Sequence, residues 1–230
     1  MPTILFASSK GGVSKSTSAV VLGSQLAARG ASVTIIDADP NHPVQAWAKR
    51  PGKPDTLTVL SNVSEATIID DIEAAAQTTA FVIVDVEGSA SMTVAYAISR
   101  ADLVIIPVQG SQLDAAEAAK AIKLIRQQEK AFGRRIPYAV LLTRTSAAIK
   151  PRTLQHIRAE LTEAGVPILT TQMHEREAFR AIFSFGGTVE TLQPSQVGGL
   201  DGAIRNAQAL AAEVVAMLKQ PQAAGHGRAA

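Results

Sequence analysis

The chain has no cysteine among its 230 residues. Disulfides, cysteine-ligated zinc and iron–sulfur clusters are therefore excluded, and the composition suits a reducing compartment. Aromatic residues are scarce at 4%, with a single tryptophan, Trp47, so a core has to be built from aliphatic side chains. Net charge is nearly absent as well. Against 20 acidic residues stand 22 basic ones, leaving +2, too little to argue nucleic-acid binding without a local patch. No apolar run approaches the length of a membrane span. Met1-Pro2 leads straight into an apolar segment with no basic n-region before it, so neither export nor membrane anchoring is expected. Internal repeats are lacking too. What is plentiful is apolar content, 47%, enough for one large α/β core without a second domain.

The stretch that organises the rest is Ser8-Ser9-Lys10-Gly11-Gly12-Val13-Ser14-Lys15-Ser16-Thr17. The apolar run from Thr3 to Ala7 predicts a buried strand, and the alanine- and leucine-rich run from Thr17 to Ala28 predicts a helix. Between them, Gly11 and Gly12 carry no Cβ, so their amides can close on a polyphosphate, and the helix start turns its free N–H groups to the same anion. Lys15 would reach the β- and γ-phosphates, and the Ser16 hydroxyl would hold Mg²⁺. The general pattern G-x-x-x-x-G-K-[ST] asks for glycine at positions 9 and 14, and both are serine here. At position 14 a Cβ could crowd the backbone or strain a positive φ.

Farther along, Ser32 to Ile36 predicts a strand ending in Asp37-Ala38-Asp39-Pro40-Asn41, which puts acids on the crest where open α/β sheets bind ligands. Asp-Pro-Asn is also ordinary turn or helix-cap chemistry. Phe81-Val82-Ile83-Val84-Asp85 with Gly88 behind it is a Walker B pattern, about seventy residues after Lys15. Glu87 reads as a surface acid. A buried strand from Ala101 to Val108 precedes a long helix opened by Leu113-Asp114, with Asp114 as its N-terminal anchor. That helix carries Lys120, Lys123, Arg126 and Lys130, the best basic stripe in the chain. Further strands are expected at Tyr138 to Thr143 and Gly165 to Leu169, and further helices at Thr153 to Glu163 and Ala203 to Lys219. His174 has no second histidine to complete a zinc site. Thr188 to Gly202 reads as a mobile stretch bordering the nucleotide or a partner, and Pro221 to Ala230 as a disordered tail.

The order K-G-G-x-x-K-S, D-x-D, strand-D-x-x-G and I-I-P-V…L-D resembles the ParA/MinD family of ATPases, whose deviant Walker A motif has the extra lysine found here as Lys10. Met173-His174-Glu175-Arg176 with Ala178-Phe179 is similar to a segment of the VirC-type ATPases that assist conjugative DNA processing. The resemblance implies a single-domain P-loop NTPase over residues 1–220, of α/β class, with a mostly parallel twisted sheet and helices on both faces. It implies ATP and Mg²⁺ as ligands, held by Lys10, Gly11, Gly12, Val13, Ser14, Lys15, Ser16 and Thr17, with Thr143 and Arg144 where the family contacts the base. Ser16, Asp37 and Asp85 fall on the metal side. Lys10, Lys15 and Asp39 fall in catalytic positions, Asp39 orienting the attacking water and Lys10 crossing to the phosphates of a second subunit. Implied partners are an ATP-dependent homodimer, DNA gripped without sequence preference, and a small DNA-binding protein of ParB type or a relaxosome component, with no membrane. Candidate DNA contacts are Arg126, Arg176, Arg180, Arg205 and Lys219. The implied setting is the cytoplasm, on the nucleoid when ATP is bound, with slow, partner-stimulated hydrolysis. Two alternatives stay open: a VirC-type factor promoting conjugative transfer, and a nucleotide-sensing scaffold with little turnover, motivated by Ser14.

Overall fold

The β-branched and aliphatic runs become the strands of one sheet. The computed structural model describes residues 1–88, 91–149 and 151–220, with the backbone alone at Gln112, Leu113 and Asp114. The strands are β1 (Thr3–Phe6), β2 (Val33–Ala38), β3 (Leu57–Leu60), β4 (Phe81–Val86), β5 (Leu103–Val108), β6 (Tyr138–Thr145) and β7 (Met173–His174). Their order is β3-β2-β4-β1-β5-β6-β7, and every pairing is parallel. The helices are α1 (Lys15–Ala28), α2 (Pro43–Ala48), α3 (Ile68–Thr78), α4 (Met92–Arg100), α5 (Gln112–Phe132), α6 (Arg152–Glu163), α7 (Glu177–Phe185) and α8 (Leu200–Lys219).

Alternate strand residues feed two cores. Ile4, Phe6, Ile35, Ile83, Ile105 and Leu141 pack with α1, α2, α7 and α8 on one face. Leu5, Ile36, Val84, Val104, Ile106 and Val140 pack with α3, α4, α5 and α6 on the other. A sheet buried on both faces explains why its strands read as unbroken apolar runs instead of alternating ones. On the first face α1 lies close against the sheet, since a Cβ on Gly23 would sit 2.8 Å from Ile35 Cδ1. From β1 the chain turns toward β2 on one side, and after β4 it crosses to β5 on the other. The carboxyl end of β1 thus opens where the strand order reverses, the usual crevice for ligands in such sheets.

Two expectations change. The strand anticipated at Gly165 to Leu169 shrinks to a single bridge between Ile168 and Val140, and the edge strand is β7 instead. Pro167 has no N–H to give, Gly165 is left-handed at φ 67°, and the amides of Thr170 and Thr171 donate to the Glu213 carboxylate on α8 at 2.6 and 2.7 Å. Those bonds draw the chain off the sheet edge before it returns at Met173. The stretch from Thr188 to Gly199 is irregular yet anchored, and Leu200 to Gly202 already belong to α8. Val189, Leu192 and Val197 are buried in the first core, and the indole N–H of Trp47 donates to Gly187 O at 2.8 Å just before it. None of it lines the cleft at the end of β1. Pro221 to Ala230 lies outside the described residues. Among those described, no helix is long and apolar enough to cross a membrane.

Candidate functional site

Residues 7–14 join β1 to α1 and include two left-handed residues, Gly12 at φ 76° and Ser14 at φ 72°. The anticipated strain at Ser14 is present: a residue with a Cβ caps α1 in the αL conformation, and its side chain makes no capping hydrogen bond. Ser18 N is the first amide to reach back along the helix, to Ser14 O at 2.9 Å. The amides of Lys15, Ser16 and Thr17 therefore remain as the positive end of α1, with no acidic residue in the first turn to neutralise them. Three neighbours fix the loop. Gln109 donates to Gly12 O at 2.9 Å and Thr143 to Val13 O at 3.1 Å. Gly88 approaches so closely that a Cβ there would lie 2.7 Å from Gly11 N and 2.8 Å from the Lys10 carbonyl carbon.

Lys15 is buried to 6% exposure, and its ammonium donates to Lys10 O at 3.2 Å. Burial lowers its pKa, opposed by the charges of Asp85, Asp39 and Glu87. Asp37 and Asp85 are register partners on β2 and β4, and both are fully buried. One Asp37 oxygen accepts from Gln45 N at 2.7 Å. The other, and both oxygens of Asp85, have no hydrogen-bond partner. Burial pushes Asp85 up to about 7; the nearby Ser16 hydroxyl and Lys15 pull it down, and Asp37 adds to the rise. Asp37 is raised by the same burial, opposed first by the Gln45 amide.

Three orphaned carboxylate oxygens beside a serine hydroxyl fit a hard divalent cation, because an isolated buried carboxylate is costly until a positive charge satisfies it. No group of three acids or histidines capable of holding a metal occurs among the described residues. The set is thus two carboxylates and a hydroxyl, which suits Mg²⁺, an ion that keeps several waters.

A cleft of about 580 Å³ opens over the loop, a size suited to a nucleotide. Gly11, Gly12, Ser14, Lys15, Ser16 and Thr17 line its floor, Asp39, Asn41, Glu87 and Gly88 one wall, and Met173 to Arg176 with Phe179 and Arg180 the far end. Asp39 is half-buried there, its carboxylate accepting from Asn41 N at 2.9 Å and from the Asn41 amide at 3.0 Å. Arg144 reaches the rim with φ 53° and pairs with Glu175 at 2.8 Å. Glu175 also pairs with Arg180, and Arg180 with Glu177 at 2.9 Å.

Three of the expected ligand residues, Thr143, Val13 and Lys10, do not line the cleft. Thr143 is 1% exposed and spends its hydroxyl on the carbonyls of Val13 and Val108, so its side chain holds the loop and does not face a base. Val13 is likewise buried. Lys10 lines a neighbouring depression of about 590 Å³ with Gln109, Ser111 and Thr145, and Arg144 and Glu175 form the partition between the two spaces. The side chain of Asp114 lies outside what is described. The candidate DNA contacts do not share one place: Arg176 and Arg180 line the cleft, Arg126 lines a groove between α5 and the segment that follows α6, and Arg205 and Lys219 are fourteen positions apart on α8, roughly 21 Å. Gln109 and the rim from Met173 to Arg180 were not expected around the phosphate loop. No spacing rule links a residue at 109 or 173 to a loop at 11; only the sheet order does.

A parallel sheet with a glycine-rich loop, a helix N-terminus and a buried lysine at the end of its central strand defines a P-loop NTPase. The model of the VirC1 protein family matches residues 1–219, and the chain belongs to that family, within the ParA/MinD-type ATPases. It is 43% identical to Protein ParA of Rhizobium radiobacter over 220 residues, 96% of this chain and 99% of that one. Among solved structures, apo McdA of Cyanothece superposes with TM-score 0.72 at 17% identity, covering 90% of this chain and 99% of McdA. A plasmid partition protein of Borrelia burgdorferi bound to AMPPNP superposes with TM-score 0.68 at 17% identity, covering 94% and 99%.

Proposed function

We propose that this protein is a ParA-type ATPase that dimerises on Mg-ATP, grips DNA through its backbone without sequence preference, and is released by hydrolysis. The observation that carries this reading is the division of labour between its two loop lysines. Lys15 is buried in its own cleft, whereas Lys10 lines the adjoining depression, outside that cleft, as a lysine serving a second protomer's phosphates would. The AMPPNP in the Borrelia neighbour supports a triphosphate as ligand.

On this reading the amides of Gly11 to Thr17 and the Lys15 ammonium receive the phosphates, and the Ser16 hydroxyl with Asp37 and Asp85 would hold Mg²⁺. Bound there, the ion would neutralise charge on the phosphates and relieve the buried carboxylates. On the same reading Asp39, which accepts from Asn41, would orient a water for attack on the terminal phosphorus; the new P–O bond forms as the bond to the bridging oxygen breaks. The partner is a small DNA-binding protein of ParB type or a relaxosome component that speeds this step, and the site of action is the cytoplasm, at the nucleoid while ATP is bound. The VirC1 family match favours a second reading of the same switch, a factor promoting conjugative transfer. A nucleotide sensor with little turnover is the reading favoured by Ser14 at φ 72°.

The test is sizing of the full chain with ADP and with a slowly hydrolysed ATP analogue, in wild type and Lys10→Ala. A dimer is expected only with the triphosphate and only with Lys10 intact. A Lys10→Ala protein that still dimerises refutes the proposal. Turnover measured with DNA and a candidate partner separates the switch from the sensor.

A further inference from the structure

Ser9 stands where the general phosphate loop has glycine, and its side chain is engaged. Its hydroxyl is 2.5 Å from Glu117 Oε2 and 3.1 Å from Glu117 O, on the second turn of α5. The other Glu117 oxygen accepts from Lys120 at 2.7 Å, and Glu117 is only 23% exposed. Lys10 is near enough for its charge to act on Glu117, after the stronger effects of Lys120 and Ser9. Lys10 and Gly11 in turn lie against Gly88, where a Cβ would sit 2.7 Å from Gly11 N and 2.8 Å from the Lys10 carbonyl carbon. The segment that carries Lys10 is therefore held between the end of β4 and helix α5. Lys15 donates to Lys10 O from within the cleft, and Thr143 holds the loop farther on, at Val13 O.

We infer that Glu117 is a positioning residue for Lys10, acting through Ser9 as a latch that sets where Lys10 is presented to the second protomer. The inference rests on the dimerisation reading above and deepens it. A serine at position 9 is then a working part and not an eroded glycine, because a carboxylate 108 residues away has a hydroxyl to hold. A charge-assisted O–H···O⁻ bond is among the stronger ones a side chain can make. Losing it removes the tie to α5 and leaves the contacts from Gly88, Gln109, Thr143 and Lys15, so more of the cost of ordering the segment that carries Lys10 falls on dimerisation. Binding of ADP within one protomer uses the other half of the loop and does not draw on this contact.

The experiment compares Ser9→Ala, Glu117→Ala, Glu117→Gln and the Ser9→Ala/Glu117→Ala double variant in the full chain, with Lys10→Ala as reference. Two quantities are read: the dimer dissociation constant with a slowly hydrolysed ATP analogue, and the affinity for fluorescent ADP. Each single alanine variant is expected to weaken the dimer by roughly tenfold, and the double variant no more than either, because both remove one bond. Glu117→Gln keeps an acceptor without its charge and recovers about half of the loss in free energy, leaving a roughly threefold weaker dimer. ADP affinity stays within about twofold in all of them, which a general collapse of the loop would not allow. Wild-type dimerisation in Ser9→Ala, a multiplicative loss in the double variant, or an equal loss of ADP affinity overturns the latch. Should Lys10→Ala itself dimerise normally, the dimerisation reading falls and the latch with it, whereas a monomeric Lys10→Ala beside normal latch variants removes the latch alone.

Discussion

Replacing Ser14 by glycine deletes one Cβ from a residue held at φ 72° and ψ 29°. For a residue with a side chain, the left-handed region costs about 1–2 kcal/mol. Glycine surrenders more conformational freedom on folding, about 0.5–1 kcal/mol relative to alanine. The difference leaves Ser14→Gly stabilised by about 0.5–1 kcal/mol, which in a chain of this size raises Tm by roughly 1–4 °C. The interactions around the residue survive the change, because Ser18 bonds to the backbone carbonyl at position 14 through both its amide (2.9 Å) and its hydroxyl (2.7 Å). Ser14→Ala is the matching control: it keeps the strain and removes a hydroxyl that makes no capping bond, so it should be nearly neutral. Urea unfolding of the three proteins, with m-values compared, reads the stability; turnover with DNA and partner present reads the site. If Ser14→Gly is less stable than wild type, or Ser14→Ala loses as much as glycine gains, serine is not a strained compromise. Turnover abolished by glycine would contradict it from the functional side.

Gly88→Ala sets a methyl against the backbone of Lys10 and Gly11, with nothing flexible to yield; fluorescent-nucleotide titration should show a loss of affinity of about tenfold or more, and unchanged affinity would mean the loop moves freely there. Asp85 ionises at about 7 in the ligand-free fold against an ordinary 3.8. The unfolded chain thus gives up this proton first, and the group's contribution is fully present below pH 4 and lost as pH rises through 7. Asp85→Asn should flatten that part of the stability–pH curve in EDTA and raise Tm at pH 7.5, while Mg²⁺-dependent nucleotide binding falls; a variant with the wild-type pH profile would show that burial does not perturb this carboxyl.

Most of the fold was legible because its signals are local. The apolar runs at Thr3 to Ala7, Phe81 to Val84 and Ala101 to Val108 each became a buried strand, with Phe81 alone half-buried at the start of β4, and the acid closing the second run became the buried carboxylate beside Lys15. The strand expected after Gly165 failed because the decision lay elsewhere: Glu213, on the last helix, takes the amides of Thr170 and Thr171. The mobile reading of Thr188 to Gly202 failed for a similar reason. Its content of glycine, proline, serine and glutamine says nothing of Val189, Leu192 and Val197 dropping into a core that other helices had built.

Residue order alone determined the phosphate loop and the acids at the strand ends, since each depends on chemistry and periodicity within a few neighbours; the two-sided parallel sheet followed from the resemblance to the ParA/MinD ATPases. Folding in three dimensions decided the rest. It put Thr143 behind the loop instead of over a base, closed the far end of the cleft with Arg144, Glu175 and Arg180, and gave Ser9 a carboxylate to hold. These contacts join segments about thirty to well over a hundred positions apart. Only the order of strands in the sheet brings such segments to one edge, and no short-range pattern in a chain encodes that order.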